Sequence, residues 1–182
     1  MPPGPPLIRS NSQPLGLPNL KPRDQLKVQC GNLFMRFSAF LLSLACRFCI
    51  PATLENPQWP RLWLCPAILA ILRRRQVSLV MTTFCAWGSP FRKATSFLSV
   101  YVDLWRLQDH KCTSSRRGVC EYSQAKHVPI QGQNSQGQWW TKIAEPYPPR
   151  LCSAIAKSFF DWDVQQVANR FQIFLAPKNG RQ

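Results

Sequence analysis

Carboxylates are the scarcest functional groups in this sequence. Its 182 residues hold 8 Asp and Glu against 23 Lys and Arg, which gives a net charge of +15, and only 17% of the residues are charged. An average soluble domain has roughly 25% charged residues. The scarcity of acids disfavours metal sites built from carboxylates and catalytic centres that need several of them.

Other absences narrow the function further. The sequence has no uninterrupted apolar run of about 20 residues, and no small-x-small cleavage site follows its first apolar patch. It also lacks the nucleophile elbow, the P-loop, the dinucleotide fingerprint and the zinc-protease motif. We therefore expect no enzymatic activity, no small-molecule substrate, and an intracellular protein without a signal peptide or a full-length transmembrane helix.

The N-terminal half contains little that predicts regular structure. Residues 1–32 are rich in proline, which fixes φ and removes a backbone donor, so they are predicted to form a disordered tail. Residues 33–93 are apolar and basic, with short apolar patches at 37–46 and 62–72. Prolines interrupt any long helix between them. The predicted N-terminal half is largely irregular, with short apolar helices.

The C-terminal half predicts a small α+β module over residues 94–176, followed by a tail at 177–182. Residues 94–109 have apolar side chains at helical spacing, although a strand is the competing interpretation for 97–104. Three short strands are predicted at 118–122, 126–131 and 138–144. Leu151, Ile155, Phe159 and Trp162 then recur at helical spacing. The predicted order is α-β-β-β-α.

Eight cysteines are many for this length, but without a secretory context they predict no disulfide framework. His110, Cys112, Cys120 and His127 lie within 18 residues of one another. Two thiolates and two imidazoles form a legitimate tetrahedral zinc set, which makes zinc the candidate cofactor. Their spacing matches no common zinc finger or ribbon, and unrelated histidines beside buried thiols are the alternative interpretation.

The strong basicity favours a polyanionic partner. A chain with an isoelectric point near 10.1 attracts nucleic acid through a salt-sensitive, sequence-independent term. Adjacent residues of a strand face opposite sides, so one of Trp139 and Trp140 is expected to be exposed and able to stack on bases. The leading prediction is non-enzymatic association with RNA or DNA through Arg116, Arg117, Lys126, Trp139, Lys142 and Arg150.

Two alternatives remain open from the sequence. The patches at 37–46 and 62–72 are typical of a peripheral membrane or protein-interaction role, and Arg36 and Arg47 flank the first of them. Arginines at such ends can reach lipid headgroups on an anionic membrane surface. The other alternative is a weakly selected reading frame without a defined function, because the first half shows little agreement between local and global signals.

Overall fold

The computed structural model describes residues 7–58 and 60–175, with side chains up to residue 169. The predicted tail at 177–182 and the first six residues of the proline-rich segment lie outside these residues. Three 3-10 turns, at Arg61–Leu64, Phe84–Trp87 and Trp105–Asp109, accompany the helices and strands. These are α1 (Pro22–Phe48), β1 (Ala52–Pro57), α2 (Pro66–Leu72), β2 (Val77–Thr83), β3 (Ala94–Val100), α3 (Trp140–Ile143) and α4 (Pro149–Leu175).

The predicted α+β class is confirmed, but the prediction of a largely irregular N-terminal half is wrong. A 27-residue helix and most of a three-stranded antiparallel sheet lie there, with the strands in the order β1-β3-β2. The apolar patch at 37–46 is the later part of α1 rather than a separate short helix. The prolines of the N-terminal half fall mainly between helices and strands, where they do not interrupt backbone hydrogen bonds.

Helix α1 begins and ends at recognisable signals. Pro22 occupies its first turn, where the missing N–H has no intrahelical role. Cys49 adopts a left-handed φ of 54°, and the N–H of Ile50 donates to the carbonyl of Ala45 at 3.0 Å, which closes the C-terminus as in a Schellman motif. Among the described residues, α1 is the one helix long and apolar enough to cross a membrane, a property that core helices and signal sequences share.

The chain divides into two compact units, and each is described by itself. Unit 1 comprises Met1–Met81 and Thr95–Tyr101, whereas unit 2 comprises Thr82–Ala94 and Val102–Gln182. The predicted segment boundaries at residues 32, 93 and 176 stay predictions.

The described residues of unit 1 form an apolar core between helices and sheet. Strand β1 pairs with β3 in an antiparallel register that sets Leu54 opposite Leu98. Because β3 is the central strand, Thr95–Val100 are buried along their whole length. The buried residues of this core are Met35, Ala39, Leu42, Ala45, Cys46, Trp63, Cys65, Ile68, Ile71, Leu98 and Val100.

The predicted order of the C-terminal module is wrong in its first four elements. Residues 94–100 form a strand rather than a helix, as the competing interpretation proposed for part of them. The predicted strands at 118–122 and 126–131 reduce to a single bridge between Val119 and Lys126. Residues 140–143 form a short helix. The final helix is confirmed over 149–175, because its apolar periodicity is local and continuous.

Candidate metal centre

Four buried side chains of unit 2 bring together the donor atoms of a metal site. The thiols of Cys85, Cys112 and Cys120 and the imidazole of His127 offer ligand atoms that all lie within 4.8 Å of one another. None of these residues is more than 5% exposed. Tetrahedral zinc with Zn–S near 2.3 Å and Zn–N near 2.0–2.1 Å separates its ligand atoms by roughly 3.5–4 Å. The donor atoms are therefore within about 1 Å of a zinc-binding arrangement.

The sheet places the first ligand. Strand β2 ends at Thr83, and the chain enters the 3-10 turn Phe84–Trp87, which carries Cys85. Gly88 ends this turn at a φ of 92°, a conformation that suits a residue without Cβ. The side chain of Phe84 is buried and anchors the turn against the Tyr147 ring at 5.2 Å.

Backbone hydrogen bonds hold Cys112 next to Cys85. The N–H of Cys112 donates to the Thr83 hydroxyl at 2.8 Å, and its carbonyl accepts two hydrogen bonds from the Arg92 guanidinium at 3.1 and 3.2 Å. The Cys85 thiol also lies 3.5 Å from the Thr83 hydroxyl. Thr83 thus fixes the relative position of two ligands.

A short hairpin carries the other two ligands. The N–H of Cys120 donates to the carbonyl of Ala125 at 2.8 Å, and the N–H of His127 donates to the carbonyl of Gly118 at 3.1 Å. The turn is completed by Gln124 at a φ of 56°. Glu121 ties this hairpin to the Cys112 loop, because its carboxylate accepts hydrogen bonds from the N–H and the hydroxyl of Thr113.

The hydrogen bonds of His127 select the tautomer that a metal requires. Its Nδ1 lies 3.0 Å from the carbonyl oxygen of Ser115, so Nδ1 carries the proton and donates it there. This leaves the Nε2 lone pair directed toward Cys112, whose Sγ is 3.7 Å away. An imidazole that donates one N–H to a carbonyl and presents the other nitrogen is the usual arrangement in zinc sites.

The environments of two cysteines shift their pKa values in opposite directions. Burial opposes ionisation of Cys120, but hydrogen bonds from the backbone N–H and hydroxyl of Ser123 and from the backbone of Tyr122 outweigh it and lower its pKa to about 6. Burial raises the pKa of Cys85 to about 12 against an opposing hydrogen bond from Thr83. At neutral pH, Cys120 is a thiolate and Cys85 must lose a proton to bind a metal.

Replacing Ser123 by Ala is expected to weaken zinc binding most at and below about pH 6, and by less as the pH rises. The lowered Cys120 pKa keeps the thiolate above about pH 6. Loss of the hydroxyl raises this pKa toward the ordinary cysteine value of 9.0, so a proton competes with zinc over a wider pH range in the variant. Above the latter pH both proteins have the thiolate and the two affinities converge. Competition with a chromogenic chelator at several pH values measures this difference, with Ser135→Ala as the exposed control. A gap that widens toward high pH would contradict the assignment.

Thr83→Val is expected to lower zinc affinity by about 10–100-fold, the usual effect of losing an outer-shell partner. Thr83 is fully buried, and valine leaves the Cys112 N–H without its acceptor, which costs about 1–3 kcal/mol of stability. The matched control is Thr141→Val, which changes an exposed threonine of α3. Chelator competition and urea denaturation measure the two effects. Equal zinc affinities of the two variants would show that Thr83 does not position the ligands.

The structure places three of the four sequence-predicted ligands together. Cys112, Cys120 and His127 lie in the cluster, and Cys85 completes it. The His110 ring lies against Trp87 instead, with 4.3 Å between ring centroids, while its backbone carbonyl accepts hydrogen bonds from Thr83 and Thr82. Sequence reasoning missed Cys85 because it lies 27 positions before Cys112, within a run interpreted only as apolar.

The sequence-predicted nucleic-acid residues occupy separate parts of unit 2. Arg116, Arg117 and Lys126 are exposed on the loop and hairpin of the metal cluster, and Arg150 is exposed at the start of α4. Trp139 is 58% exposed, whereas Trp140 packs near Phe91 with 6.0 Å between centroids. Trp139 and Lys142 line one cavity of about 600 Å³, where Lys142 is paired with Glu145 at 2.7 Å.

Comparisons with known proteins add no family to this picture. No protein-family model matches the chain, and neither a curated protein nor a solved structure shows detectable similarity to it.

Proposed function

We propose that unit 2 is a zinc-binding module in which Cys85, Cys112, Cys120 and His127 bind one Zn²⁺ ion. The observation that carries the proposal is the convergence of four buried ligand atoms within 4.8 Å. They come from three separate parts of the chain: the turn after β2, the Cys112 loop and the hairpin. An ion bound there links these three segments, which have little regular structure of their own.

The composition of the ligand set supports a structural, non-enzymatic role. Three thiolates and one imidazole fill a tetrahedral shell, whereas catalytic zinc keeps a position open for water or substrate. Soft thiolates favour zinc over magnesium or calcium, which take oxygen ligands. The tautomer of His127 and the hydrogen bonds to Cys120 support the same assignment, since both orient or ionise ligands in advance of the metal.

The test is a metal count on full-length protein purified reduced with zinc. We expect one equivalent per chain, and cobalt substitution is expected to give the absorption of a tetrahedral thiolate site. Cys85→Ser is expected to weaken zinc affinity by at least about 100-fold, because it removes one of four ligands. The informative control is His110→Asn, which changes the nearby histidine that lies outside the cluster and is expected to retain the ion.

Further controls separate this site from general thiol chemistry. Cys30 and Cys152 are exposed cysteines outside the cluster, so Cys30→Ser and Cys152→Ser are expected to leave the metal count unchanged. Loss of zinc in His110→Asn with retention in Cys85→Ser would replace the proposed ligand set by the sequence-predicted one. A purified protein with a disulfide among these cysteines and no affinity for zinc would overturn the proposal.

A second proposal is that the zinc-linked loops bind nucleic acid. Arg116, Arg117 and Lys126 are exposed on the segments between Cys112 and His127. The nearby Glu121 carboxylate is engaged by Thr113, and these hydrogen bonds lower its pKa. Exposed guanidinium groups pair with phosphates, and the exposed Trp139 ring offers a stacking surface for an unpaired base.

Affinity for a single-stranded RNA oligonucleotide, measured over a range of salt concentrations, tests this second proposal. Arg116→Ala/Arg117→Ala is expected to reduce the slope of log affinity against log salt by about 1–2, because each phosphate contact contributes about 0.7 on single strands. Arg73 and Arg74 are a matched exposed pair in unit 1. An equal loss of RNA affinity in Arg73→Ala/Arg74→Ala would show that binding depends only on the overall positive charge. Undiminished RNA binding by Arg116→Ala/Arg117→Ala would overturn the assignment.

A further inference from the structure

Helix α1 of unit 1 has two apolar faces, and the structure covers one of them. Val28, Met35, Ala39 and Leu42 are buried on the face that packs on the core. From Leu33 to the end of the helix, six further large apolar side chains are between 47% and 71% exposed: Leu33, Phe34, Phe37, Phe40, Leu41 and Phe48. Single exposed apolar residues are ordinary, but a contiguous set of this size marks an interaction surface.

The exposed apolar residues share one side of the helix. With about 100° between successive residues, all six fall within an arc of about 120°, roughly opposite the buried residues. We call this set the exposed face of α1. Between the two apolar faces runs a polar stripe that includes the exposed side chains of Gln29, Arg36 and Arg47. The Arg47 guanidinium lies 5.5 Å from the ring of Phe48, so an arginine borders the apolar surface directly.

Charge decides what fits this face. The helix contains four basic residues and one acid, Asp24, which is paired with Lys27 at 2.8 Å. A second copy of the helix would therefore bring basic residues against basic residues, with no carboxylate left to match them. An anionic lipid surface offers both an apolar layer for the phenylalanines and negative headgroups for the arginines.

We propose that the exposed face of α1 lies on an anionic lipid surface, with its phenylalanines among the acyl chains and Arg36 and Arg47 at the headgroups. The helix lies in the plane of the interface instead of crossing it. Although α1 is long enough to span, crossing would remove Met35, Ala39 and Leu42 from the core of unit 1. This proposal does not depend on the zinc site, which belongs to unit 2.

The experiment is co-sedimentation of the full-length, zinc-loaded protein with vesicles. We expect binding to phosphatidylcholine vesicles that contain phosphatidylserine and much weaker binding to phosphatidylcholine alone. Phe34→Ser/Phe37→Ser is expected to reduce binding at least tenfold, whereas Phe34→Leu/Phe37→Leu is expected to keep most of it. Phe160→Ser changes an equally exposed phenylalanine of α4 and is expected to bind like the wild type.

Other variants and measurements keep the proposal open to refutation. Arg36→Gln/Arg47→Gln retains the apolar face and is expected to lose most of the preference for phosphatidylserine. The bound protein is expected to be released by alkaline carbonate; retention would indicate a spanning helix and overturn the surface-lying arrangement. A dimer in light scattering that Phe34→Ser/Phe37→Ser dissociates, together with unchanged vesicle binding, would assign the face to a second copy. Absence of binding to either vesicle would refute the proposal.

Discussion

Removing zinc from the full-length protein is expected to abolish the structure around the metal cluster. The hairpin of Cys120 and His127 has one bridge between its strands, and nearly all of its side chains except the two ligands are exposed. Such a segment has little apolar burial to offset its conformational entropy. Structural zinc in small peptides binds with about 10–16 kcal/mol of apparent free energy, comparable to or larger than the total stability of a domain.

Hydrogen exchange followed by mass spectrometry measures this effect segment by segment. After chelation, the amides of Cys120, Gln124 and His127 are expected to lose their protection by several orders of magnitude, because their backbone hydrogen bonds depend on the closed hairpin. The amides of α2 in unit 1 are the internal control, since Ile68 and Ile71 belong to a core without metal ligands. Re-addition of zinc is expected to restore protection. Unchanged exchange across 118–127 after complete removal of zinc would contradict the structural role.

Phe84→Ala is expected to destabilise the protein by about 3–5 kcal/mol, the range for truncation of a buried aromatic side chain. Phe84 is 1% exposed, its ring lies 5.2 Å from that of Tyr147, and the Lys93 ammonium lies 4.5 Å from its centroid. A cavity at this position also loosens the turn that carries Cys85. We therefore expect a second effect, a loss of zinc affinity, from a residue that is not a ligand.

Urea denaturation of the zinc-loaded protein measures the first effect and chelator competition the second. The control is Phe160→Ala, which truncates a phenylalanine that is 67% exposed on α4. Surface substitutions of this kind usually change stability by less than about 0.5 kcal/mol. Similar losses of stability in both variants would show that packing of the Phe84 ring does not stabilise the protein. An unchanged zinc affinity in Phe84→Ala would show that this packing does not position Cys85 for metal binding.

Local patterns predicted the parts of the fold that depend on local interactions. The apolar spacing from Leu151 onward predicts α4, because neighbouring turns of one helix determine its formation. The same reasoning failed at 94–100, where helical and extended spacing coincide over a short segment. There the pairing of Leu98 with Leu54 of β1 stabilises the strand rather than a helix. Strand preference depends on such partners more than on the residues themselves.

The first half illustrates a different failure. Proline content and basicity predicted irregular structure, yet Pro22 begins a helix and Pro66 begins another, positions that proline suits. Helix α1 has apolar side chains on two opposite faces, one buried and one exposed, so its periodicity is not that of an ordinary amphipathic helix. Packing of Met35, Ala39 and Leu42 in the core of unit 1 stabilises it, and local patterns predicted no strand of the sheet apart from the alternative interpretation of part of β3.

By itself the sequence determined the α+β class, the final helix, the basic charge and the nearness of Cys112, Cys120 and His127. All of these depend on composition or on residues close along the chain. Only the tertiary structure decided that Cys85 replaces His110 in the cluster and that α1 leaves one apolar face exposed. Both depend on contacts between distant segments, whose formation requires loop closure that no local pattern encodes.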